Sequence, residues 1–169
     1  MIKNPLTYGL IAATLLLSSC SANVVFEDPM PRHTELQKDI PRQFHGTWMD
    51  EGDERWIVES AGILKDGELL KNDAKTQIRT EDDHMFINFR DDKGWELYVT
   101  QVDGNTMDVY TIELNDDRLF KKLDRLTDLE VTYGEDGSRT LIKLNPTNRE
   151  FRKMVRRKMF SYQGSLSRI

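Results

Sequence analysis

The stretch His84-Met85-Phe86-Ile87-Asn88-Phe89-Arg90, followed by Asp91-Asp92-Lys93-Gly94 and then Trp95-Glu96-Leu97-Tyr98-Val99, decides the fold class. Met85, Ile87 and Phe89 alternate with His84, Asn88 and Arg90, a period of two broken only by Phe86; beyond the turn, Trp95, Leu97 and Val99 share a face. In an extended chain that period sends successive side chains to opposite faces, so the segment predicts two strands joined by a tight turn. The same pattern continues outward. Trp56 and Val58 alternate with Ile57 and Glu59, and Lys65-Asp66-Gly67-Glu68 sets an Asp-Gly turn between Ile63-Leu64 and Leu69-Leu70, the strongest short-range hairpin signal. Asp103-Gly104-Asn105 turns the chain into Met107–Leu114, and Glu135-Asp136-Gly137 joins Leu129-Val131-Tyr133 to Thr140–Leu144. This predicts about eight or nine short strands with connections of about two to five residues. No stretch between His45 and Leu144 has the helical period of about ten residues that a βαβ unit requires. Sequential hairpins must bury one face against a second sheet or close on themselves, and closure removes both exposed edges. The expected fold is therefore mainly β, a small antiparallel up-and-down β-barrel over residues 45–145. A sandwich or a strongly curved open sheet is the other solution.

The chain has 169 residues and a net charge of −5, from 29 acidic and 24 basic side chains. That length suits one domain with its own core. The charge is unevenly spread: six of the basic residues fall between Thr147 and Phe160, where Glu150 is the single acid. An acidic body of this kind argues against nucleic acid as a partner. After Asn145-Pro146, Thr147-Asn148-Arg149-Glu150 has the form of a capping box. Phe151, Met154, Val155, Met159 and Tyr162 then fall along one helical stripe, with arginines opposite and Lys158 interrupting the stripe. One C-terminal amphipathic helix is expected over residues 146–162 and a loosely ordered tail over 163–169. Arg152, Arg156 and Arg157 are its candidate surface for a partner or an anionic membrane.

At the other end, Lys3 precedes an apolar run from Leu6 to Leu17, then Ser18-Ser19 and the chain's single cysteine, Cys20. The layout is that of an export signal over residues 1–19, too short to span a bilayer. Leu17-Ser18-Ser19-Cys20 resembles a bacterial lipobox. The resemblance implies a bacterial lipoprotein with lipid (palmitate) on Cys20, and Ser21 in place of Asp after the cysteine implies sorting to the cell outer membrane, the domain facing periplasm or surface. Residues 20–44, broken by Pro29, Pro31 and Pro41, then read as a lipidated N-terminus and flexible tether.

Phe44-His45-Gly46-Thr47-Trp48 is similar to the Gly-x-Trp opening of lipocalins and their calycin relatives. The resemblance implies that Gly46 lets the chain cross the closed end of a barrel, that Trp48 plugs that end, and that a basic side chain of the last strand, Arg139 or Lys143, covers the ring. A lipocalin-like helix outside the barrel would be the C-terminal one. Trp56, Phe86, Trp95 and Tyr110 are then candidate ligand or core residues.

No Gly-x-Ser-x-Gly elbow, Cys-x-x-Cys pair, His-Glu-x-x-His or glycine-rich phosphate loop occurs. His33, His45 and His84 have no common short spacing, and the acidic turn Asp50–Glu54 lacks the calcium-loop positions. The expectation is a domain that is no enzyme and needs no cofactor or metal: a lipid-anchored binding domain for a small, apolar ligand. The alternative is an envelope protein-interaction, assembly or inhibitor factor working through its surface and basic helix.

Overall fold

The structure, a computed structural model, describes residues 22–32, 36, 38–114 and 117–169. Cys20 and the signal-like run lie outside them. In chain order the elements are β1 (Asn23–Phe26), a 3-10 turn at Arg42–Phe44, β2 (Gly46–Met49), β3 (Arg55–Glu59), β4 (Gly62–Lys65), β5 (Glu68–Leu70), β6 (Thr76–Glu81), β7 (His84–Arg90), β8 (Trp95–Asp103), β9 (Thr106–Thr111), α1 (Asp117–Asp124), β10 (Leu129–Tyr133), β11 (Arg139–Leu144), α2 (Asn148–Arg156) and β12 (Ser161–Arg168). The predicted hairpins form where the turn chemistry placed them. Asp66 and Gly67 both have positive φ, at 52° and 81°, in the two-residue β4–β5 loop, as the hairpin twist demands.

β8 is the branch point of one mostly antiparallel sheet. β7 runs along one edge, pairing from Arg90↔Trp95 to His84↔Gln101, and β6 lies outside β7. The other edge takes β9 from Val99↔Tyr110 to Asp103↔Thr106, and β1 at the single pair Phe26↔Trp95. From β9 the sheet continues through β12, β2, β3, β4 and β5; from β1 it continues through β11 to β10. The β1–β11 pair is parallel.

This sheet is open, which corrects the expected lipocalin-like barrel. β5 and β6 follow each other along the chain yet share no ladder: β5 pairs only with β4, and β6 only with β7. The loop between them uses side chains where closure would use a strand. The Asn72 Oδ1 atom accepts the Ile78 amide at 2.6 Å, and Asp73 Oδ1 accepts the amides of Lys75 and Thr76, each at 2.7 Å. Backbone groups satisfied in this way need no neighbouring strand.

The second reason is burial on both faces of the central strands. Met85 and Ile87 enter one apolar cluster with Phe44, Trp48, Val58, Ile63, Ile78, Met107 and Leu166. Phe86, Trp95, Leu97 and Val99 enter another, with Phe26, Met30, Leu123, Ile142, Leu144, Phe151, Met154 and Met159. Phe86, which breaks the alternation of β7, is only 2% exposed. It is covered by α2, whose Phe151 ring meets it edge-on at 5.4 Å. Burying such a ring stabilises the fold by about 2–3 kcal/mol, and the aromatic pairing adds about 1 kcal/mol.

Three boundaries differ from the sequence reading. The predicted tether contains β1, which is held between β11 and β8, and the following strap is tied down by Asn88. That side chain accepts the Met30 amide at 2.7 Å and donates to the Met30 carbonyl at 2.9 Å. The segment read as helix end and loose tail is β12, set between β9 and β2. A second helix, α1, stands between the strands expected at Met107–Leu114 and Leu129–Tyr133, where no helix was expected; its eight residues give only about two turns of helical period to read.

Candidate functional site

α2 starts at the predicted capping box: Thr147 accepts the Glu150 amide at 3.3 Å, and the Glu150 carboxylate accepts the Thr147 amide at 2.9 Å. Phe151 and Met154 face the core. A rotation of about 100° per residue therefore turns Arg149, Arg152 and Arg156 outward along one stripe, and all three are exposed. The helix ends in a Schellman motif: the Lys158 amide donates to the Val155 carbonyl at 3.0 Å and the Met159 amide to the Met154 carbonyl at 3.1 Å. Lys158 takes the left-handed position, φ 51°, where glycine is usual.

The arginine stripe overlooks the tip of the β6–β7 hairpin, and between them lies a groove of about 480 Å³. Its lining joins Arg149, Arg152 and Arg156 to Glu81, Asp82 and His84, over an apolar floor of Phe86 and Val155. Arg152 spans the groove: its Nε donates to Glu81 Oε1 at 2.8 Å, and its Nη2 reaches the same oxygen. The Glu81 carboxylate raises the Arg152 pKa further. Arg149 and Arg156 make no ion pair among the described residues. The His84 ring stacks on Phe86 at 6.0 Å, and its Nδ1 lies 2.7 Å from Asp83 Oδ1. A hydrogen bond from the Gln101 amide, with His84 beside it, holds the Asp83 carboxyl below the ordinary carboxylate range.

Arg157, expected to share a surface with Arg152 and Arg156, belongs to a separate hollow. It lies at the end of α2 with Lys122 and Arg125 from the end of α1, over Leu126 and Met159. Sequence reasoning missed Lys122 and Arg125 because it missed α1. The signal was present as Leu119 and Phe120, four and three residues before Leu123, spacings that put them on one helical face.

The residues expected to close a barrel have other partners. Gly46 has φ 144°, and a Cβ there would sit 3.3 Å from the Arg168 Nε. Trp48 is fully buried and donates its indole N–H to the Phe44 carbonyl at 3.0 Å. The cation over its ring is Arg168 of β12, with the guanidinium 4.3 Å from the centroid. Arg139 instead pairs with Asp117 and lies 4.2 Å over Phe120, pinning α1 to β11.

Nor do the four candidate ligand residues surround one interior. Trp56 packs on the first cluster beneath Lys65, while Phe86 and Trp95 lie within the second and Tyr110 against it. With an open sheet and its apolar side chains divided between two packed cores, the reading as a lipocalin-like binder of a small apolar ligand is overturned. Among the described residues no group of three or more His, Cys, Asp or Glu side chains is placed to hold a metal ion, and no helix is long and apolar enough to cross a membrane. No family model matches the chain, and neither a curated protein nor a solved structure matches it.

Proposed function

We propose that this domain docks an acidic protein segment in the groove between α2 and the β6–β7 tip, and binds it without transforming it. The observation that carries the reading is the stripe of Arg149, Arg152 and Arg156 over the apolar floor of Phe86 and Val155, with only Arg152 neutralised from within. Guanidinium groups stay protonated and present planar donor forks to carboxylates, so they suit binding rather than proton transfer. A polypeptide fits better than a bilayer for two reasons. Phe151 and Met154 of α2 are spent in the core, and Val155 is the helix's single apolar side chain in the groove, too little to insert into lipid. Glu81 and Asp82 also line the rim, which repels a uniformly anionic surface but accommodates a partner of patterned charge.

The test is fluorescence polarisation with labelled peptides rich in Glu and bearing one aromatic side chain. Binding should weaken as salt rises from about 0.05 M to about 0.5 M, and Arg149→Glu with Arg156→Glu should weaken it by at least about tenfold. Equal binding by wild type and the reversed variant would refute the reading. Lipid on Cys20, holding the domain at an outer membrane, is a separate proposal resting on the lipobox resemblance. It requires labelling of the wild type by a palmitate analogue and release of Cys20→Ala from membranes; an unlabelled wild type would end it.

A further inference from the structure

We infer that the hollow at the converging C-terminal ends of α1 and α2 is a binding site for a phosphate group. It encloses about 400 Å³ and is lined by Lys122, Arg125, Leu126, Arg157 and Met159, with no carboxylate among them. Four cations of the molecule pair with carboxylates elsewhere: Arg32 with Asp28, Lys65 with Glu54 and Asp66, Arg139 with Asp117, Arg152 with Glu81. Lys122, Arg125 and Arg157 make no ion pair among the described residues.

Their backbone positions are fixed by the fold. The Leu126 and Thr127 amides donate to the Leu123 carbonyl at 2.8 and 2.9 Å and end α1 beside Arg125. The Schellman turn sets Arg157 and brings Met159 under it, with Leu123, Met154 and Met159 buried in one cluster. A helix C-terminus favours cations near its own last turn. That accounts for basic residues at each end separately, but not for three of them facing one hollow from two helices. Three like charges so placed repel one another until an anion joins them.

Charge and shape choose phosphate over carboxylate. A phosphate monoester carries about −1.5 to −2 near neutral pH and offers three acceptor oxygens, enough for donors arriving from three directions; a carboxylate is planar and carries less charge. Leu126 and Met159 supply an apolar wall for the carbon portion of a phosphate ester. The site is distinct from the docking groove, and no residue lines both.

The test uses the full chain, titrated with inorganic phosphate and pyrophosphate and followed by amide NMR. Shifts should concentrate at residues 122–126 and 157–159. Lys122→Gln, Arg125→Gln and Arg157→Gln together should weaken binding by at least about tenfold while the unfolding midpoint stays near wild type. Arg149→Gln with Arg156→Gln should leave these shifts in place, separating this site from the groove. Co-sedimentation with phosphatidic-acid vesicles, compared with phosphatidylcholine vesicles, identifies the source. Sedimentation lost in the triple variant points to a lipid headgroup, and phosphate binding without sedimentation to a soluble ester; either supports the site. Shifts scattered over the surface, no shifts up to about 10 mM, or unchanged affinity in the triple variant would overturn it.

Discussion

Lys158 holds a left-handed conformation, φ 51°, that costs a side chain with a Cβ about 1 kcal/mol relative to glycine. Lys158→Gly should therefore raise unfolding stability by about 1 kcal/mol in denaturant titration; a loss would mean that the turn is not formed as described. No glycine marked this stop, so the helix was expected to run on, and Lys158 interrupting the apolar stripe was the only sign of an ending. Asn88 carries the opposite effect. Its amide group serves both the amide and the carbonyl of buried Met30, so Asn88→Ala strands two backbone groups and should cost about 2–4 kcal/mol. A cost under about 0.5 kcal/mol would show that the strap does not depend on it.

Among the elements, β12 was the least legible. Ser161-Tyr162-Gln163-Gly164-Ser165-Leu166-Ser167-Arg168 buries only Leu166, so it has no alternation to read; the backbone pairing with β9 and β2 holds it. Truncation before Ser161 should abolish cooperative unfolding followed by circular dichroism, whereas a dispensable tail would leave the transition intact. The β5–β6 loop gives a pH prediction. Hydrogen bonds from the Lys75 and Thr76 amides lower the Asp73 pKa. A carboxyl depressed in the folded state contributes stability above its unfolded value, near 3.9, and loses it as the pH falls through the folded value. Acid titration of the unfolding midpoint should show that loss below about pH 4, and Asp73→Asn should remove this part of the pH dependence. The same acid loss in both proteins would assign it elsewhere.

At the scale of the whole molecule, hairpins and the capping box were readable because each is set by local residues: Asp66-Gly67, Asp103-Gly104, Thr147 and Glu150. Closure was not, because the difference between a barrel and an open sheet lies in what covers the second face of β7 and β8. That cover comes from β1, α1 and α2, distant in sequence. Phe86 announced it by breaking the alternation, and Gly-x-Trp favoured a barrel although its covering cation, Arg168, lay on the strand read as a tail. The groove and the phosphate hollow exist only because the helices pack there, so the two-faced core carries the functional account as well. Denaturant unfolding of two single variants at neighbouring positions, Phe86→Ala and Ile87→Ala, tests it most directly. Side chains that point to opposite faces and both fill a core should each cost about 3 kcal/mol or more. A Phe86→Ala protein within about 0.5 kcal/mol of wild type, with Ile87→Ala strongly destabilised, would show one wet face and contradict the account.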